Sequence, residues 1–123
     1  MKKIYIMAFV AMLFACNVIA DNHNEFRIFT NMNNGKTLTA LSKYLNTNNE
    51  QNEQLEYLLS LTDKKMKLAL SNNNSNAAEK VKWFNLGNAK IILNEEQYKK
   101  YLLVLNVTLN SMNDKSVEDI AEN

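Results

Sequence analysis

The stretch 93–110, LNEEQYKKYLLVLNVTLN, constrains the fold more than any other, because a start signal, an apolar stripe and a polar face coincide in it. Asn94 sits where an N-cap residue belongs. Gln97, three places on, is spaced to reach back to the cap, the reciprocal pattern of a capping box. Glu95 and Glu96 fill the first turn, where carboxylates complement the positive end of the helix dipole, and Lys99 and Lys100 follow on the water side. Tyr98, Tyr101, Leu102, Leu105, Leu109 and Met112 then recur at steps of three and four, one continuous stripe down a helix. A stripe of that length needs apolar surface to lie on, so helix-on-helix packing is the expected architecture.

The chain has 123 residues, enough for one domain, and its start reads as an export signal. Lys2 and Lys3 precede an apolar run over 4–15, and Val18-Ile19-Ala20 offers a small-residue cleavage site before Asp21. The run is shorter than the roughly 20 residues a bilayer-spanning helix needs, so residues 1–20 are expected to be a signal peptide, with no transmembrane segment in the mature chain. Cys16, after Leu13-Phe14-Ala15, opens a competing lipoprotein reading. Phe14 fits that site poorly, and cleavage after Ala20 is preferred. The protein is then exported, periplasmic or secreted, and Cys16 leaves with the signal, taking thiol and disulfide chemistry with it. Lys2 and Lys3 go too, and the 14 basic residues of the whole chain drop below the 13 acidic ones. A nearly neutral chain lacks the basic footprint of a nucleic-acid binder.

Residues 21–35, DNHNEFRIFTNMNNG, are Asn-rich and end in a turn signal, and they read as a flexible arm whose Phe26, Ile28 and Phe29 rest on helices. A strand there would have no second strand to pair with. The helical domain is expected over 36–112. A short first helix carries Leu38, Leu41 and Leu45, with Thr37 as its cap. The next starts at Asn48, with Gln51 at the same cap spacing as Gln97, and Leu55, Leu58, Leu59, Thr62, Met66, Ala69 and Leu70 mark its face. Residues 71–76, SNNNSN, form a polar link suited to a helix hairpin. Asn76, with Glu79 three places on, can cap a third helix whose apolar arc runs through Val81, Phe84, Asn88 and Ile91. Gly87 inside it costs about 1 kcal/mol against alanine, which a closely approaching neighbour or Trp83 would explain. Residues 113–123 read as an acidic flexible tail. No proline interrupts any of this. The expected fold is therefore all-α: a small hairpin or bundle of three main helices plus a short N-terminal one. Its helices at Asn48 and Asn94 would pack antiparallel around Trp83 and Phe84, with a core of Leu55, Leu59, Phe84, Ile91, Leu102 and Leu105.

Residues that could carry chemistry are few. His23 is the only histidine, and with Asp21 and Glu25 it makes a weak metal set. Adjacent Glu95 and Glu96 diverge by about 100° on a helix and cannot serve one substrate as an acid and base pair. A hydrolytic triad would have to recruit His23. No catalytic residue, metal ligand or cofactor is assigned, and an enzyme is not expected. Tyr57, Tyr98 and Tyr101, with Tyr44 and Trp83, are candidates for a partner-binding aromatic surface, against the plainer reading of core with amphipathic rims. Lys64, Lys65, Lys67, Lys80 and Lys82 flank the polar link and would make the hairpin tip basic, attractive to acidic partners or anionic lipid.

Thr47-Asn48-Asn49-Glu50-Gln51 and Leu93-Asn94-Glu95-Glu96-Gln97 resemble the paired L-T-x-x-Q motifs of the Spy/CpxP-like family of periplasmic helical proteins. Leucine and glutamine match in the second, where Asn94 replaces threonine. In the first only glutamine matches, with Thr47 for leucine and Asn48 for threonine, and both changes keep an N-cap side chain. Leu61-Thr62-Asp63-Lys64-Lys65 lacks the glutamine. The run 93–98 and the run 105–110, LNVTLN, are also similar to a set of small exported helical proteins of Gram-negative bacteria, a likeness that covers most of the mature chain and implies no activity. The Spy/CpxP resemblance implies a helical hairpin, a homodimer and an ATP-independent chaperone or envelope-stress role toward unfolded clients. The alternative is a structural or accessory subunit of an envelope complex with one dedicated protein partner.

Overall fold

The computed structural model describes residues 24–122, with side chains to Asn113, and no strand occurs among them. The expected signal peptide, Cys16 and His23 lie outside the described residues. Five helices follow one another: α1 (Asn24–Asn31), α2 (Gly35–Leu45), α3 (Asn49–Ser71), α4 (Ser75–Ile92) and α5 (Glu95–Glu122). The architecture is all-α, and among the described residues α1 is one helix more than the short helix and three main helices expected. None of the described helices is long and apolar enough to cross a membrane.

Asparagine punctuates the chain. Asn34 caps α2 by accepting from the Thr37 N–H at 2.9 Å, so Thr37 lies inside the helix it was expected to cap. Asn48 caps α3 and Asn74 caps α4, the latter through the Ala77 N–H at 3.1 Å; Asn76 is already helical. Asn46 ends α2 with φ 55°, in the left-handed region that asparagine tolerates better than most residues. Its neighbour Thr47 donates from its backbone to the Ser42 carbonyl at 3.2 Å, closing the last turn.

α1 and α2 together make one descending arm, broken at residues 32–34; α3 rises, α4 descends and α5 rises again. The expected antiparallel packing of the helices at Asn48 and Asn94 does not occur. Two short links reverse the chain twice, so α3 and α5 run in the same sense with their starts together. α3 pairs most extensively with α4, and α1 wedges against α3, α4 and α5.

The core contains Leu55, Leu58, Leu59 and Met66 of α3, Ala78, Leu86 and Ala89 of α4, and Tyr101, Leu102, Leu105 and Leu109 of α5. α1 adds Phe26, Ile28 and Phe29, so residues 24–31 of the segment read as an arm form a helix packed in the core. Eight residues cannot hold a helix in water. Burial does it, each large side chain contributing about 1.5–3 kcal/mol. The backbone of α5 is helical to Glu122.

α4 is rotated from its expected orientation. Ala78, Val81, Lys82, Asn85, Leu86 and Ala89 face inward, while Ile91 is 82% exposed, Trp83 is exposed and Phe84 is half-buried under Lys65, whose ammonium lies 4.5 Å from the ring centroid. Ile91 and Trp83 are therefore not core residues. Gly87 faces open space, with nothing near an added Cβ, so no close approach accounts for it.

Candidate functional site

Both capping boxes are closed, and they close on each other. Gln51 Oε1 accepts from the Asn48 N–H at 3.1 Å and Asn48 Oδ1 from the Gln51 N–H at 2.8 Å. At α5, Gln97 Oε1 accepts from the Asn94 N–H at 3.0 Å and Asn94 Oδ1 from the Gln97 N–H at 2.8 Å. The two glutamine amides then pair: Gln51 Nε2 donates to Gln97 Oε1 at 2.8 Å and Gln97 Nε2 to Gln51 Oε1 at 3.3 Å. Gln97 also donates to the carbonyls of Leu45 and Asn46 at the end of α2, and Gln51 to the carbonyl of Ile92 at the end of α4. One amide pair thus satisfies helix-end groups from four helices, groups that have no partner inside their own helix. Beside it the Thr47 and Ser42 hydroxyls both donate to Asn52 Oδ1, joining α2 to α3.

A second polar line crosses the core. The Tyr101 hydroxyl donates to Asn85 Oδ1 at 2.6 Å, Asn85 Nδ2 to Thr62 Oγ1 at 3.0 Å, and Thr62 to the Leu58 carbonyl at 2.7 Å. Tyr101, Asn85 and Thr62 are all 0% exposed. Burial pushes the Tyr101 phenol well above its ordinary value. Tyr98 is also buried and its phenol raised by desolvation. Neither tyrosine is open to a partner, which corrects their assignment as partner-binding residues. Tyr57 is 68% exposed.

Nearer the other end, Lys82 is 0% exposed and stands between Glu25 of α1 at 3.4 Å and Glu79 of its own helix at 3.3 Å. The Phe26 ring lies 5.6 Å from the ammonium. This lysine is thus no part of the basic hairpin tip, which keeps the exposed Lys64, Lys65, Lys67 and Lys80. Burial raises the Glu25 carboxyl above its ordinary value, against the opposing pull of Lys82, and Glu25 Oε1 has no hydrogen-bond partner. Local sequence did not signal the Lys82–Glu25 contact, which joins positions 57 residues apart.

Among the described residues an apolar groove runs between α2 and α5. Met32, Ala40, Leu41, Tyr44, Val104 and Thr108 line a groove that continues along α5 past Leu103 and Val107, the last 62% exposed. Lys100 lies over the Tyr44 ring at 5.5 Å and rims it. The sequence reading missed this strip because it followed the inward stripe of α5 and left Leu103 and Val107 aside. Among the described residues no three His, Cys, Asp or Glu side chains gather as a metal site. Comparison with known proteins finds no matching family, no curated relative and no solved structure of similar fold. The class to which fold and site assign the chain is thus an all-α bundle with a polar knot at one end and an open apolar groove on one flank.

Proposed function

We propose that the protein is an exported helical binding module that holds apolar segments of unfolded or partner proteins, in the ATP-independent manner implied by the Spy/CpxP resemblance. The observation that carries this reading is the α2–α5 groove, where Tyr44, Leu103 and Val107 face solvent on a rigid support. Contiguous exposed apolar surface is uncommon on a small domain unless something binds there. The support is rigid because Tyr101 and Leu105 of the same helix are pinned in the core, so the outward residues keep their spacing. A homodimer would place two such grooves in one particle and raise retention of a long client by avidity.

The test is suppression of aggregation of several unfolded clients by the processed protein at near-stoichiometric ratio. The double variant Leu103→Ser, Val107→Ser should lose most of that protection while keeping its helical circular dichroism and melting temperature. Absence of protection by the unaltered protein across all clients rejects the reading. Co-purification of a single dominant partner from an envelope extract would put the dedicated-subunit alternative in its place.

A further inference from the structure

α1 has the least local support of any helix and one of the densest apolar loads. Its eight residues carry Phe26, Ile28 and Phe29 at 1% exposure or less, and Met32 follows at 4%. It touches α3, α4 and α5, and its tether to α2 is only residues 32–34. A helix that short, held entirely by elements remote in sequence, is in the position of a ligand seated in a cleft. The cleft also presents a charged contact, because buried Lys82 meets Glu25 while the neighbouring Phe26 packs against the same ammonium. A buried ion pair with one carboxylate oxygen unpartnered is poor as pure stabilisation, since desolvation of both ions offsets their attraction.

We propose that the α3–α4–α5 cleft is a receptor for a short helix bearing the apolar face of Phe26, Ile28 and Phe29, filled within the chain by α1 and exchangeable for α1 of a second copy. Exchange reproduces every contact of the closed chain, so the two states differ only at the hinge and in association entropy. The hinge is suited to opening. Asn34 is exposed, caps α2 through Thr37, and holds the end of α1 by a single bond to the Asn31 carbonyl at 2.9 Å. Straightening it leaves the α2 cap intact. The proposal does not rest on client holding at the α2–α5 groove, and failure of the aggregation assay leaves it standing.

Asn24 Nδ2 donates to Asn113 Oδ1 at 3.0 Å, which supplies the lock for a test. In the full chain carrying Cys16→Ser, Asn24→Cys and Asn113→Cys, a disulfide pins α1 to α5, and reductant frees it. The probe is a fluorescent synthetic peptide of residues 22–34, with binding read by anisotropy. The peptide should bind the reduced protein and lose at least ~10-fold in affinity for the oxidised one, because a pinned competitor cannot vacate the cleft. A peptide with Phe29→Ala should not bind. Equal binding to both forms, or none to the reduced form, overturns the proposal. A second measurement needs no disulfide: Phe29→Ala in the protein weakens the internal competitor and should raise affinity for the unaltered peptide, by ~10-fold or more. Unchanged affinity there overturns it equally.

Discussion

Gln97 ties three helices, α2, α3 and α5, through one side chain, so its substitutions separate shape from charge. Gln97→Ala removes the pair with Gln51 and leaves the Leu45 and Asn46 carbonyls without their donor. A loss of about 2–3 kcal/mol is expected from chemical denaturation, since several bonds worth about 1 kcal/mol each disappear together. Gln97→Glu keeps both acceptors but turns a carboxylate oxygen toward those two carbonyls. It should be worse than alanine at neutral pH and should recover as acid neutralises it; a glutamate variant milder than alanine at neutral pH would contradict the geometry. Glu25 gives the second residue-scale prediction. Its folded pKa is raised above the ordinary 4.5, so the folded chain holds that proton more tightly than the unfolded one. The stabilisation from this group is complete below the ordinary carboxylate value and is lost as pH rises through the raised one. Stability measured across that window should fall from this group with rising pH, and Glu25→Gln should flatten the slope.

At the scale of elements, α4 shows where pattern reading stops. Its true inward stripe, Ala78, Val81, Lys82, Asn85, Leu86, Ala89, has helical period but includes a lysine and an asparagine, while Ile91 and Trp83 point outward. Counting apolar letters selects a stripe rotated by about one residue, or roughly 100°. The buried lysine and asparagine are tolerated because Glu25, Thr62 and Tyr101 meet them, and those partners come from three other helices. No local window holds that information. α5 and α3 were legible because cap, first-turn charge and stripe agree within one segment, and both capping glutamines sit at their expected spacing. That the two glutamines pair was not legible, since it depends on how the chain reverses between them. α1 was hidden for a related reason: with Phe26, Ile28 and Phe29 all buried, its eight residues show too few turns for a period to emerge. Gly87 carries the element-scale prediction. It lies mid-helix, exposed, with no atom near an added Cβ, so Gly87→Ala should stabilise by about 0.5–1 kcal/mol. Thermal melting should rise by a few degrees, and a fall would indicate a constraint at this position.

For the whole molecule, the question is whether α1 belongs to the folding unit or decorates it. Phe29 is 0% exposed in the same cluster as Leu59 and Leu105. Phe29→Ala should therefore cost about 3–5 kcal/mol, as large-to-small changes in a packed core do. The loss is checked by denaturation followed by circular dichroism and by Trp83 fluorescence, which together report whether α1 and the remainder unfold in one transition. Two separated transitions would mean that α1 melts by itself over an intact four-helix remainder.

The two ends of the bundle answer to different solution conditions. The shared start of α3 and α5 is tied by amides and hydroxyls, none of which titrates, and added salt has no charge pair to screen between the two glutamines. The opposite end depends on a carboxylate and an ammonium under α1. Loosening by a change of acidity should begin beneath α1 and travel toward the glutamines, giving the molecule a fixed direction in which it comes undone. Amide hydrogen exchange followed from low pH to neutral should show protection in residues 24–31 changing first, while the turns that start α3 and α5 hold their rates.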